Sequence, residues 1–421
     1  MKSRIFVAAF AYAFVGTAFA APLSEHARDY RAQLTRTILP YWLKTIDVTN
    51  GGFLLSDDAV RGHTASREKQ LVSQARMVWT FSHAHLHGLD RNGTCLDAAQ
   101  NGYRFLTNHF LDREFGGYFW KTDLAGHPIN MRKMLYGESF VIYALVEYYR
   151  ASKNPEPLQM AMALYRQIQQ HAHDGLNRGW DEHFTRDWKR LADKDPAAEV
   201  EVAGYKSANT HLHLQEALTE LYDESRDDDV KQSLAEALFI NKRYFYPKDA
   251  GRSCFHRQRD WKEVTDPKSA GLSYGHNVEF AWLMIHAEKV LGGAGDWPHF
   301  YAHVNHALKF GYDHERGGLY HRGVDDQPAT DHDKIWWVEA ETIAALTEAL
   351  QHAENAGPHQ ALDQEVHFVN EFQADHRDGI WLDTVTADGK PKSTGKAHSW
   401  KANYHDVRAL VKFVEVFHAK R

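Results

Sequence analysis

The chain has 421 residues, 43% of them hydrophobic and 25% charged, with a formal charge of −7 and no block of like charge. This globular composition excludes a disordered or fibrous chain, and the acidic balance argues against a nucleic-acid partner. Two cysteines, Cys95 and Cys254, exclude a disulfide framework and leave no CxxC pair.

In chain order, the first element is a leader. Lys2 and Arg4 precede an uncharged stretch from Ile5 to Ala20 that ends in Ala18-Phe19-Ala20. A basic start, a short apolar run and an A-x-A site predict a secretory signal peptide over 1–20 rather than a membrane span. The expected mature chain, 21–421, carries −9, resides in the periplasm or outside the cell, and keeps no membrane anchor.

The rest is a repeat. A glycine beside aromatic or β-type residues recurs at Gly51, Gly116, Gly179, Gly251, Gly317 and Gly379, at separations of 65, 63, 72, 66 and 62. The fourth copy, around Gly251, is the weakest match. Stretches 66–88, 133–150, 208–223, 276–291, 335–352 and 400–418 show helical apolar spacing. A second, more amphipathic series lies near 25–45, 94–111, 156–172, 229–246, 298–312 and 359–373. Each unit therefore reads as a helix pair joined by a Gly-aromatic turn or short hairpin. Six units with no linker between them predict one all-α domain, an (α/α)6 barrel with the more apolar helices inside. An open solenoid is the competitor, but neither terminal unit has the polar face of a cap.

The unusual polar residues fall 20–30 positions after each glycine: Arg76, Tyr136, Asn209, His276, Trp337, then Trp400 and His405. Equivalent ends of six inner helices converge on one mouth, so these residues are expected to share a pocket. Asn209 and His213 stand at i and i+4 on one helix face. His276 and Glu279 stand at i and i+3, where a carboxylate can orient an imidazole. Arg76, in an otherwise apolar helix, needs an anion, an oxyanion or a carboxylate. Trp400 can floor a sugar while His405 acts on it. His83, His85 and His87 alternate, so they point apart and make a poor metal site. No HExxH, P-loop, dinucleotide or G-x-S-x-G pattern is present, and no metal or cofactor is expected.

The stretches Gln74–Ser82, Lys206–His213, Ser273–Glu279, Ile335–Glu341 and Trp400–His405, taken together, resemble the N-acylglucosamine 2-epimerase superfamily, and within it the cellobiose 2-epimerase and mannose 2-epimerase branch. The resemblance implies an (α/α)6 barrel and reversible inversion at C2 of an aldose without metal or nicotinamide. It implies that His276 and His405 are the acid and base on opposite sides of an opened sugar, with Glu279 supporting the first. Arg76, Asn209 and His213 then hold O1 and the enediolate oxygen. Trp337 and Trp400 contact the sugar, and Tyr136 and Glu341 are grouped with the substrate-binding set. The chain departs from the branch at Asn277, where Asp is usual, and at Ala402-Asn403, where Cys-Pro is frequent. Both bear on the choice of sugar.

Three rivals stand beside this reading: a mannose-type aldose–ketose isomerase, a glycoside hydrolase using two of Glu138, Glu279 and Glu341 or a polysaccharide lyase, and a non-catalytic sugar-binding protein. The expected partner is a small sugar, and the expected assembly a monomer or homodimer.

Overall fold

A computed structural model describes residues 22–90, 92–265, 271–352 and 356–418. The leader expected over 1–20 lies outside them. Thirteen α-helices follow in order. Helix α1 (Leu23–Gln33) runs through a π turn (Leu34–Ile38) into α2 (Leu39–Leu43), and α3 is Leu71–Leu86. Then come α4 (Thr94–Phe105), α5 (Leu135–Ser152), α6 (Glu156–His171), α7 (Ala208–Ser225) and α8 (Asp228–Ile240). The last are α9 (Tyr274–Val290), α10 (Trp297–Phe310), α11 (Trp336–His352), α12 (Ala356–Phe368) and α13 (Tyr404–Phe417).

Helices α3, α5, α7, α9, α11 and α13 form an inner ring in which each packs on the next and α13 packs back on α3. Outside them α4, α6, α8, α10 and α12 each pack on the inner helix that precedes them in the chain, and α1 packs on α13. The inner helices are buried on almost every face; in α5 burial is unbroken from Leu135 to Tyr148. That exceeds the single apolar stripe expected, because each inner helix meets two ring neighbours, one outer helix and the filled axis. Outer α4 instead buries one side, through Ala98, Ala99, Gly102 and Tyr103.

Two-to-three-residue strands, not helix, lead into the inner helices. Glu68–Gln70, Lys133–Met134, Tyr205–Ser207, Leu272–Ser273 and Lys334–Ile335 each pair antiparallel with a strand of the following unit. Gly395–Ala397 of the sixth unit pairs with Asp57–Asp58 of the first, Ala397 opposite Asp57. This closes the circle a second time and excludes the open solenoid. The pairing also satisfies helix ends. The first N–H of α3, α5, α7 and α11 donates to Trp120, Glu182, Phe255 and Asp383 O of the next unit at 2.8–3.0 Å.

The repeated glycine is explained by its backbone: at all six positions φ lies between 60° and 84°, the left-handed region that favours glycine. The structure adds a partner pair that the repeat did not reveal. In five units an aspartate four or five residues before the glycine, Asp47, Asp112, Asp174, Asp313 or Asp375, caps the turn through backbone N–H groups. Its second oxygen meets a buried lysine from the entry strand, Lys69, Lys133, Lys206, Lys334 or Lys396, at 2.8–3.1 Å. In the fourth unit Pro247 and Leu272 stand at these positions. The weakest repeat has thus exchanged a buried ion pair for apolar groups, a replacement that packing tolerates.

The fourth residue of five inner helices has one structural task. Gln74, Glu138, His211, Asn277 and Glu339 accept the backbone N–H of Phe53, Tyr118, Trp180, Ser253 and Leu319 at 2.8–3.2 Å. Asn277, the departure from the branch, therefore pins a turn. Both cysteines are free thiols. Among the described residues no helix is long and apolar enough to cross a membrane.

Candidate active site

The N-terminal turns of the inner helices surround a cavity of about 290 Å³. Nine of the ten expected site residues line it: Arg76, Tyr136, Asn209, His213, His276, Glu279, Trp337, Trp400 and His405. Tyr136, Asn209, Trp337 and His405 are each the second residue of their helix, and His276 is the third. Trp400 precedes α13 in a short bridge between His398 and Lys401, not in the helix expected there. The tenth residue, Glu341, stands one layer behind.

The two histidines named as acid and base are supported differently. His405 Nδ1 lies 2.6 Å from Glu341 Oε1, which fixes Nδ1 as the protonated nitrogen and turns Nε2 to the cavity. Burial outweighs this carboxylate and pulls the imidazole down to about 3. His276 Nδ1 is 2.8 Å from Ser273 Oγ and Nε2 is 3.3 Å from Asn209 Oδ1. Burial, with the positive groups around it, holds His276 well below the ordinary imidazole value. Both rings are neutral in the free protein. The Trp337 ring lies between them, 4.7 Å from His276 and 5.9 Å from His405.

The pairing of His276 with Glu279 is a correction. Sitting in the first turn, His276 reaches back to Ser273, the residue that caps α9. Glu279 is turned to Arg408 instead, Oε1 to Nη2 at 3.1 Å. Burial and the neighbouring Glu341 raise Glu279 well above the carboxylate range, and its Oε2 has no partner among the described residues. Glu279 thus lines the cavity with one oxygen on Arg408 and the other unpaired among the described residues. The i, i+3 rule holds on α7, where His213 Nδ1 meets Glu216 Oε2 at 2.8 Å.

Among the described residues Arg76 meets no carboxylate. Its guanidinium donates to Trp400 O at 3.1 Å and to Tyr136 Oη at 3.0 Å, and lies 4.3 Å from the centre of the Phe140 ring. The Tyr136 phenol, buried, is pushed up to about 12. A buried positive charge without an anion, facing a cavity, is a preformed place for a developing oxyanion.

Sequence reasoning missed the layer beneath. Arg408 donates to Glu216, Tyr404 and, at 2.7 Å, Glu341, besides Glu279. One guanidinium therefore fixes the carboxylates behind His213 and His405. The signal was present: Arg408 stands three residues after His405, as Glu216 does after His213. Glu279, Glu341 and His405 offer ligand atoms within 4.8 Å of one another, the spacing a metal would need. Arg408 already places a cation between the two carboxylates.

This also removes the carboxylate pair of a hydrolase. Glu138 is fully buried under its turn, accepting from Tyr118, and burial raises it to about 8. Glu341 is taken by His405, Arg408 and Trp282 Nε1. Of the alternating histidines, His85 turns away to Asp90, whereas His83 and His87, at i and i+4, lie with their rings 4.1 Å apart and reach Glu147 and Glu415. His321 and Arg322, unnoticed in the sequence, also line the cavity from the strand beside α9's entry.

The family model for N-acylglucosamine 2-epimerase (GlcNAc 2-epimerase) matches residues 52–409. The cellobiose 2-epimerase of Bacteroides fragilis is 30% identical over 393 residues, which cover 92% of this chain and 98% of that one. The solved cellobiose 2-epimerase of Bacillus thermoamylovorans superimposes with a TM-score of 0.85 at 28% identity, over 93% of this chain and 99% of that one. A crystal structure of D-mannose isomerase, 21% identical over 95% of this chain and 100% of its own, shares the fold with a TM-score of 0.81. On this likeness and on the repeat architecture, the chain belongs to the N-acylglucosamine 2-epimerase family and is a carbohydrate 2-epimerase, an isomerase.

Proposed function

We propose that the protein inverts C2 of an aldose, a mannose or glucose unit that is either free or at the reducing end of a β-1,4 disaccharide, through ring opening and an enediolate. The observation that carries this is the placement of two neutral imidazoles, from α9 and α13, on one small cavity with an unpaired guanidinium between helices α3 and α5. A proton α to an aldehyde is weakly acidic, so a base must be positioned and the oxyanion stabilised. One imidazole takes the C2 proton from one face, and the other returns a proton to the opposite face. The anion formed between them raises the proton affinity of both rings. Arg76 faces the enediolate oxygens, and Glu279 lines the same cavity. Trp337 and Trp400 give it aromatic surface. A neighbouring cavity of about 700 Å³ shares Val200, Asn209, His276 and Arg322 with the first, which supports room for a second sugar residue.

The second reading, aldose–ketose isomerisation, returns the proton to C1 from the same enediolate, and the likeness to D-mannose isomerase favours keeping it. Incubation of mannose, glucose and cellobiose in heavy water, read by NMR, separates the two: C2 deuterium in an aldose epimer against a ketose carrying deuterium at C1. His276→Ala and His405→Ala are each expected to lose epimerisation by at least ~10²-fold. One variant should still wash deuterium into its starting sugar, and the other only when started from the opposite epimer. Near-normal epimerisation in either folded variant would remove that histidine from the reaction. We further propose export by the leader, with mature periplasmic protein starting at Ala21; N-terminal sequencing checks it.

A further inference from the structure

The barrel has a second chamber at its opposite mouth, built from the C-terminal turns of the inner helices, with a volume of about 440 Å³. No step of the reaction uses it. Its wall carries two polar atoms that the fold leaves open. Trp79 and Tyr143 are 3% and 4% exposed, and both line the chamber. Neither Trp79 Nε1 nor Tyr143 Oη has a hydrogen-bond partner among the described residues. Both atoms open onto the chamber rather than onto protein, so an entering hydroxyl can pair with them. The rings stack at 5.1 Å and 8°, and His83 covers the other face of Trp79 at 4.3 Å. The wall therefore offers polar edges rather than open ring faces.

The charges around these edges decide the ligand's chemistry. Glu147 and Glu220 are paired with Arg150, and Glu348 is held by Lys289 at 2.8 Å and Lys412 at 2.6 Å. Arg150 also meets Asp223 and Glu224, so one guanidinium is shared by four carboxylates, and the surplus of acceptors disfavours an anion. A neutral molecule rich in hydroxyls uses both kinds of edge: it gives protons to the carboxylates' free lone pairs and accepts from the indole and phenol. We infer that the rear chamber is a second binding site, for a small uncharged polyhydroxy compound of the size of one sugar ring. Its floor is the layer behind the reaction cavity. The Trp282 ring and Arg408 face the chamber, and both bind Glu341, the carboxylate behind His405.

The test uses crystals of the whole chain and 1,5-anhydro-D-glucitol, a pyranose without an anomeric hydroxyl, which cannot open or epimerise. Occupancy in the two chambers is refined separately over a series of soaking concentrations. The rear chamber should fill, with probe oxygens on Tyr143 Oη and Trp79 Nε1. In Tyr143→Phe the concentration for half-filling should rise about fivefold there, as loss of one hydrogen bond predicts, and stay unchanged in the front cavity. Should that variant not crystallise, Glu220→Gln serves in its place. Water alone in the rear chamber at concentrations that fill the front, or an unaltered rear titration in both variants, overturns the proposal.

Discussion

His405 Nδ1 and Glu341 Oε1 stand 2.6 Å apart, on helices α13 and α11 of neighbouring units. The same carboxylate oxygen accepts from Arg408 at 2.7 Å. Glu341, held near 2 by these partners, is an anion that fixes one histidine's tautomer without touching the cavity.

Glu341→Gln should therefore act through His405. The amide keeps the shape but removes the charge that would stabilise an imidazolium. The expected loss is about 10²-fold in kcat with KM little changed, read by steady-state kinetics. A KM effect alone would place Glu341 on the sugar instead.

Arg76→Met separates catalysis from stability. Losing the oxyanion partner should lower kcat/KM by about 10²- to 10³-fold. Because Arg76 is a buried charge without an anion, its removal should leave Tm unchanged or raise it. A large drop in Tm would show that the guanidinium serves the fold.

Buried histidines set the acid limit. His213 and His276 are lowered, and His303 and His405 stand at about 3, all chiefly through burial. An unfolded histidine titrates near ~6.5. The unfolded chain therefore takes protons first as pH falls. This contribution to stability is complete above about 6.5 and is lost between there and about 3. Glu138, raised to about 8, works in the opposite sense: its contribution is complete below the unfolded value near ~4.5 and is lost as pH rises through 8. Thermal melts across pH should show a maximum between these limbs, and Glu138→Gln should flatten only the alkaline one.

The Asp–Lys pairs give a packing test. Lys334→Leu leaves Asp313 buried without its cation and should cost about 3–5 kcal/mol in denaturant unfolding. Adding Asp313→Asn keeps an acceptor for the turn, removes the orphaned charge and should recover much of that loss. The precedent is the fourth unit, where Pro247 and Leu272 do without the pair.

Dialysis against EDTA should leave activity intact, since Arg408 supplies the positive charge among Glu279, Glu341 and His405. Loss restored by one divalent ion would put a metal there.

The period of the glycines carried the architecture, because a left-handed turn tolerates little else and each unit must repeat it. It also carried the cavity wall, since equivalent helix ends in a closed ring meet. What escaped was direction. From spacing alone His276 and Glu279 share a face, yet a first-turn side chain can reach its own cap, and Ser273 was the stronger neighbour. Glu138 read as a hydrolase carboxylate but is a turn pin, as Asn277 and His211 are, a role visible only once Phe53, Tyr118 and their counterparts are seen to lack other acceptors. Arg408 escaped because a buried arginine announces a partner without saying which helix provides it.

The pairing of Ala397 with Asp57 also bears on how the protein comes into being. Those residues are separated by almost the whole chain, so the last seam is the contact of longest loop closure and should form late. During synthesis the first five units can stack as an unsealed crescent, with apolar flanks of α3 and α11 still wet. Trp400 and His405 arrive with the segment that seals it. A nascent chain therefore holds no working cavity until its final strand and helix are in place, and catalytic competence arrives together with the finished ring.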